Sequence, residues 1–186
     1  MSGSIGMVPK SGVDITSPSV FAQKFNIDAS NAASNQAAEE AEIRKAKADA
    51  IDAYFKARKM PLAGQGMKMV IEAEKNDLDW RLIAAIAVRE STGGKFECKK
   101  VENNPFGWGS CKIGFKSYDH AIETVARNLG GNNPKTAHHY DDKTTMQILR
   151  AYNPPSIVLR YAEQVIGIME AIGSIGVAIS TEKVNS

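Results

Sequence analysis

DWRLIAAIAVRESTGG, residues 79–94, is the stretch that decides the fold, because it carries a helical pattern with a beginning and an end. Its apolar side chains recur three and four residues apart, which is typical of an amphipathic helix with one face in a core. These residues are Leu82, Ile83, Ile86 and Ala87. Asp79 is suited to cap the first turn, and Gly93 with Gly94 ends the helix.

Glu90 gives this helix its chemical interest, because it follows Ala87, Ile86 and Ile83 on the same side. Partial burial and the negative end of the helix dipole both disfavour an ionised carboxyl group there. A carboxylic acid that keeps its proton is what a leaving glycosidic oxygen needs. Spacing alone favours the alternative, in which Glu90 pairs with Arg89, Lys95 or another cation at the helix end.

The chain divides into four segments by composition. Residues 1–29 mix Gly, Ser and Pro without a period, which predicts an extended tail. Residues 30–60 are rich in Ala, Glu, Lys and Arg and predict a long helix that lies against the domain, pairs with another helix, or anchors the protein in an assembly. Pro61 stops that helix, residues 61–173 form the main domain, and residues 174–186 are predicted to be a loose tail.

The main domain is predicted to be mainly helical, with one small exception. Residues 103–118, NNPFGWGSCKIGFKSY, are rich in Gly and aromatic residues and predict a small β-hairpin or an irregular lobe. Three helices are expected after it. Ser117 caps one that Gly130 ends, Thr144 begins a shorter one, and Ser156 caps a last helix whose apolar face includes Ile157.

Composition excludes several classes of function. The chain has 23 Lys and Arg against 21 Asp and Glu, a formal charge of +2. This near balance argues against a nucleic-acid partner. No apolar run approaches the roughly 18 residues of a membrane span, and the N-terminal sequence lacks the pattern of a signal peptide.

The number and spacing of the cysteines and histidines do not predict a metal site, and no cofactor is expected. Cys98 and Cys111 are either joined by a disulfide or are free thiols, and they lack the further ligands that zinc takes. His138 and His139 are neighbours in a predicted loop without a third ligand at metal spacing.

Four segments in order resemble the lysozyme-like superfamily, and are most similar to bacterial and phage glucosaminidases and lytic transglycosylases. They are LIAAIAVRESTGGKF (82–96), NNPFGWG (103–109), KSYDHAIETVARNL (116–129) and AYNPPSIVLRYAEQVIGIM (151–169). The resemblance covers about 110 residues of the chain. It implies an α+β lysozyme-like fold for residues 61–173 and cleavage of the peptidoglycan backbone of N-acetylmuramic acid (MurNAc) and N-acetylglucosamine (GlcNAc).

The resemblance also assigns roles to particular residues. Glu90 matches the general acid of the family, and Ser91 beside it is expected to support it by hydrogen bonding. The residues expected to bind substrate are Ser91, Asn104, Phe106, Gly107, Trp108 and Tyr152. The aromatic rings of Phe106 and Trp108 either face sugar rings or belong to a core. Tyr152 matches a downstream tyrosine of the family, whereas Tyr161 is a second candidate for which core packing is favoured.

A second carboxylate decides between two reactions, because a hydrolase with paired acids needs one about 5 to 9.5 Å from the first. Glu97, Glu102 and Asp119 are available, but none lies in a matching motif. A lytic transglycosylase needs only one acid, so the sequence favours that reaction and leaves hydrolysis open.

The expected partners are peptidoglycan strands and, through residues 1–60, other proteins of a bacteriophage particle. The expected location is the virion, or the cell wall after release. The alternative from another class is a structural or assembly protein with a lysozyme-like fold and little or no activity.

Overall fold

The structure, a computed structural model, describes the backbone of residues 18–184 and the side chains of residues 33–178. This part of the chain is mainly helical and contains no strand. The helices are α1 (Pro18–Ala57), α2 (Gly66–Lys75), α3 (Leu82–Ser91), α4 (Tyr118–Leu129), α5 (Ala137–Tyr140), α6 (Thr145–Tyr152) and α7 (Tyr161–Val184). No helix in residues 18–184 is long and apolar enough to cross a membrane.

The chain forms two compact units, Met1–Ala41 and Glu42–Ser186. In the first unit, the described side chains of residues 33–41 are exposed. In the second unit, the end of α1 contributes buried side chains, among them Ile51 and Phe55, to the core. Three roles were predicted for the helix of residues 30–60, and residues 42–57 have the first of them, because they lie against the domain. The domain therefore begins before Pro61.

Helices occupy parts of both segments that were predicted to be tails. Helix α1 begins at Pro18, so the prediction of an extended tail is wrong for residues 18–29. Proline favours the first helical position because its φ is already helical and its missing N–H would have no partner there. Helix α7 runs to Val184, so the predicted loose tail is wrong for residues 174–184. The predictions for residues 1–17 and 185–186 lie outside the described residues.

Helix α3 lies at the centre of the second unit, in contact with α2, α4 and α7. Six successive side chains, Leu82 to Ala87, are fully buried, so α3 is enclosed on all sides instead of on one face. A helix that is apolar all round is stable only in such an environment. The alanines at positions 84, 85 and 87 present small side chains to the surrounding helices.

Local signals fix several of the helix ends. Ser117 accepts a hydrogen bond from the His120 N–H and caps α4, as predicted. Thr144 begins α6, also as predicted, and forms a capping box with Gln147 there. The prediction that Ser156 caps the last helix is wrong. Residues 155–160 form turns, Arg160 adopts a left-handed φ of 63°, and α7 begins only at Tyr161.

Residues 92–117 form an irregular lobe, so the β-hairpin alternative is wrong. Positive φ values recur along the lobe and prevent the extended backbone that a strand needs. They occur at Thr92, Gly93, Gly94, Asn103, Gly107, Gly109, Ser110 and Cys111. A disulfide joins Cys98 to Cys111, whose Cα atoms are 5.4 Å apart, and closes the lobe into a loop.

The Ile157 side chain, expected in the core, is 75% exposed. Its N–H instead bonds to the Pro154 carbonyl in the turn that precedes α7. The later members of the predicted apolar face, Tyr161, Val165, Met169 and Ile172, are buried.

Candidate active site

Glu90 lies near the end of α3, where the helix reaches an open cleft of about 450 Å³. The irregular lobe forms one wall, and the ends of α5 and α6 form the other. The residues that line the cleft are Glu90, Phe106, Gly107, Trp108, Gly109, Ser110, Tyr140, Tyr152 and Asn153. The structure thus brings Glu90 together with four of the predicted binding residues.

The two carboxyl oxygens of Glu90 have different neighbours. The Tyr161 hydroxyl donates a hydrogen bond of 2.6 Å to Oε1. Oε2 faces the backbone of the lobe, because a Cβ placed on Gly107 would lie 3.3 Å from it. Gly107 has a left-handed φ of 62°, so a glycine suits both the backbone turn and the close approach.

Burial raises the pKa of Glu90, although the hydrogen bond from Tyr161 and the positive charge of Arg89 lower it. The net direction is upward because the loss of solvation outweighs the two opposing effects. Among the described ion pairs, none includes Glu90. Arg89 donates to the Gln164 side chain at 2.8 Å, and Lys95 donates to the Arg58 carbonyl at 2.7 Å. The alternative prediction, in which Glu90 forms a salt bridge with Arg89 or Lys95, is therefore wrong.

Ser91 supports the end of α3 and does not bond to Glu90. Its hydroxyl donates to the Ala87 carbonyl at 3.1 Å and accepts from the Gly94 N–H at 2.8 Å. The side chain is buried and absent from the cleft lining. Its two hydrogen bonds thus hold the turn that directly follows Glu90.

Asn104 shapes the lobe from inside. Its amide nitrogen donates to the carbonyls of Trp108 (2.9 Å) and Ile113 (2.8 Å), and its oxygen accepts from the Trp108 N–H at 3.0 Å. The residue is fully buried, so the expectation that it binds substrate directly finds no support in its position. It holds the turn that places Gly107 beside Glu90.

The aromatic pair of the lobe divides between core and cleft. Phe106 is fully buried and belongs to the core, so of the two alternatives for its ring the structure favours the core. Trp108 is partly buried, lines the cleft, and has its ring centroid 5.9 Å from that of Tyr152.

Tyr152 and Tyr161 stack on each other, with ring centroids 5.9 Å apart and planes inclined by 16°. The Tyr152 hydroxyl donates to the Phe106 carbonyl at 2.5 Å and so ties α6 to the lobe. Tyr161 is the tyrosine that contacts Glu90, although sequence reasoning favoured a core role for it. Both roles hold, since its side chain is 2% exposed. The signal available in the sequence was a polar hydroxyl on an otherwise apolar helix face.

Among the described residues that line the cleft, Glu90 is the only carboxylate. Glu97 and Glu102 line a different cavity of about 520 Å³, which is formed by residues 94–103 of the lobe. Asp119 lines neither of these two cavities. None of the three residues considered as a second acid is brought to Glu90's cleft.

No group of three or more potential metal ligands occurs in the part of the chain that the structure describes. His138 and His139 lie in the short helix α5, with ring centroids 3.8 Å apart. Neither residue lines the cleft.

No protein-family model, no curated protein and no solved structure matches the chain.

Proposed function

We propose that the protein has a lysozyme-like fold and cleaves the MurNAc–GlcNAc backbone of peptidoglycan, with Glu90 as the general acid. One observation carries the proposal. A carboxyl group that has no ion pair among the described residues lies in an open cleft, and burial raises its pKa. A carboxyl group that holds its proton more readily than an ordinary glutamate suits the role of general acid in breaking a glycosidic bond.

The neighbours of Glu90 suit this task. The Tyr161 hydroxyl fixes the orientation of the carboxyl group through Oε1, which leaves Oε2 to carry the acidic proton on the side of Gly107. The pKa of Tyr161 is raised far above its ordinary value, mainly by burial, so its hydroxyl keeps its proton and remains the donor. Trp108 offers an apolar ring face in the same cleft, of the kind on which sugar rings pack.

The single carboxylate favours lytic transglycosylation over hydrolysis by paired acids. Glu90 would give its proton to the glycosidic oxygen as the bond to the MurNAc anomeric carbon breaks. The MurNAc 6-hydroxyl would then bond to that carbon, and its proton would return to Glu90. The products are an anhydro end and a free GlcNAc hydroxyl, and the enzyme regains its starting state. Hydrolysis by paired acids needs another carboxylate, and among the described residues Glu90 is the only one that lines the cleft.

The test compares the wild type with Glu90→Gln on peptidoglycan sacculi, followed by mass spectrometry of the products before and after borohydride reduction. Anhydro ends that resist reduction and come only from the wild type are expected. Reducible ends would indicate hydrolysis. If neither protein releases products while both remain folded, the catalytic proposal is wrong.

We further propose that the protein acts as part of a bacteriophage particle, docked through the part of residues 1–60 that precedes the core-packed segment, residues 1–41. Support comes from the first unit, where the described side chains, those of residues 33–41, are exposed. Fractionation of purified particles distinguishes a bound component from a protein released into the lysate. Presence in particles without wall cleavage would favour the alternative, a structural or assembly protein.

A further inference from the structure

Three tyrosines lie at or near the cleft of Glu90, and the hydroxyl groups of two of them form hydrogen bonds within the protein. Tyr161 donates to Glu90, and Tyr152 donates to the Phe106 carbonyl. Tyr140, the last residue of α5, lines the cleft, but its hydroxyl has no hydrogen-bond partner among the described residues. The polar side-chain atoms that are both buried and unpartnered belong to Gln65 and Glu97, so the Tyr140 hydroxyl is not enclosed.

Tyr140 and Tyr152 both line the cleft. Burial raises the pKa of Tyr140, and Tyr140 in turn contributes to the raised pKa of Tyr152. The two phenol groups are therefore close enough to interact electrostatically. The Tyr152 hydroxyl bonds to the carbonyl of Phe106, and all three residues line the same cleft.

Tyr140 also separates two cavities. Besides the cleft of Glu90, it lines a smaller cavity of about 270 Å³ whose other residues include Asn132, Asp141 and Asp142. The ring packs against the core, which fixes its position. Tyr140 thus has a ring that is fixed by packing and a hydroxyl that has no partner among the described residues. A polar group placed in this way in a binding site favours a polar ligand over an apolar one.

We propose that Tyr140 is a substrate-binding residue whose hydroxyl exchanges a hydrogen bond with a hydroxyl or N-acetyl group of the saccharide that occupies the cleft. This inference rests on the proposed function. Sugars carry many such groups, and a rigid phenol offers both a donor and an acceptor to them. Tyr140 holds the saccharide from the α5 side, opposite the wall that the lobe provides.

The experiment measures binding of a soluble GlcNAc–MurNAc tetrasaccharide by calorimetry, in the Glu90→Gln protein so that no cleavage occurs. Tyr140→Phe in this background is expected to weaken binding about three- to tenfold, the usual effect of one neutral hydrogen bond. Tyr54→Phe is the matched control, because the Tyr54 hydroxyl likewise has no partner in the described chain, and Tyr54 is buried and does not line the cleft. It is expected to bind like the parent.

Kinetics on sacculi, with Glu90 intact, provide a second measurement. Tyr140→Phe should raise KM more than it lowers kcat, whereas a general loss of structure would lower kcat and the melting temperature. Tyr140→Ala should weaken binding further, since it also joins the two cavities.

Equal binding by Tyr140→Phe and its parent overturns the inference, even if Tyr140→Ala binds weakly, because the ring alone would then matter. If the parent does not bind the tetrasaccharide at millimolar concentration, the proposed function fails and takes the role of Tyr140 with it. The two failures differ in whether the parent binds.

Discussion

Glu72 on α2 and Glu90 on α3 are two carboxyl groups withdrawn from water, and their pKa values move in opposite directions. Glu72 has a side chain only 4% exposed, and it bonds to Lys68 at 3.0 Å and Lys75 at 2.9 Å. Burial raises its pKa, but the two lysines lower it more. Glu90 has a tyrosine in place of lysines, and burial prevails.

The difference between the two sites lies in their partners, since both groups lose solvation. A cation that compensates a buried carboxylate makes it a structural element. A neutral donor orients a carboxyl group and leaves it able to hold a proton. The Glu72 site has the features of the first kind and the Glu90 site those of the second. Four predictions, from the largest expected effect to the smallest, test this contrast.

The largest effect is expected from replacing each glutamate by glutamine. Glu90→Gln should lower the rate of glycan cleavage by about 10² to 10⁴-fold, the usual contribution of a general acid, with no loss of stability. Glu72→Gln should leave the rate unchanged and lower the free energy of unfolding by about 1 to 2 kcal/mol, because two lysines lose a charged partner. For both variants, the rate of product release from sacculi gives the activity, and chemical denaturation gives the free energy of unfolding. An active Glu90→Gln protein would remove the contrast.

The disulfide tests whether the lobe is what buries Glu90. Breaking the bond between Cys98 and Cys111 is expected to destabilise the protein by about 3 kcal/mol, the usual contribution for a loop of this size. A looser lobe would also admit water to Glu90 and lower its pKa, so the alkaline limb of the pH–rate profile should move to lower pH.

Denaturation and pH–rate profiles, recorded with and without a dithiol reductant, give both quantities. A protein with both cysteines replaced by serine is the control, and the reductant should not affect it. Glu72 lies outside the lobe, so the effect of Glu72→Gln on stability should be the same in both redox states. An alkaline limb that stays in place would show that the burial of Glu90 does not depend on the closed lobe.

Tyr161→Phe, the third change, separates the two stacked tyrosines. Losing the hydrogen bond to Glu90 should lower the rate about tenfold and move the alkaline limb to higher pH, because that bond lowers the pKa of Glu90. Tyr152→Phe is the matched control, since its hydroxyl bonds to the Phe106 carbonyl and does not shift Glu90. The limb should stay in place in that variant. The reverse pattern would give Tyr152 the role that the sequence motif suggested.

The residues that sequence predicted well are those whose placement is decided locally. The apolar spacing before Glu90 predicted a helix that delivers a carboxyl group to an apolar setting, and Ser117 and Thr144 cap helices because capping needs only neighbouring residues. Glu90 could thus be singled out from its own segment, before any partner was known.

Distant packing decided what the sequence could not show. Whether Tyr152 or Tyr161 contacts Glu90 depends on where α7 begins, and the left-handed turn at Arg160 sets that point. Asn104 lies in a motif that suggested substrate binding, but its partners are carbonyl groups within the lobe. No spacing rule reveals such partners, because they depend on how an irregular segment closes on itself.

The smallest effect is expected in the pH dependence of stability, where the two glutamates act in opposite windows. The pKa of Glu90 is raised, so its contribution is fully present below its ordinary value of 4.5 and is lost as pH rises through its folded value. The pKa of Glu72 is lowered, so its contribution is present above 4.5 and is lost as pH falls through its folded value.

Urea denaturation from pH 3 to pH 8 therefore distinguishes the two glutamine variants. Relative to wild type, Glu90→Gln should gain stability as pH rises above 4.5, because the wild type must then ionise a buried group. The deficit of Glu72→Gln should shrink as pH falls below 4.5, because the wild-type ion pairs are being lost. Parallel curves for the two variants would mean that both carboxyl groups are compensated alike, and Glu90 would then lack the property on which its proposed chemistry depends.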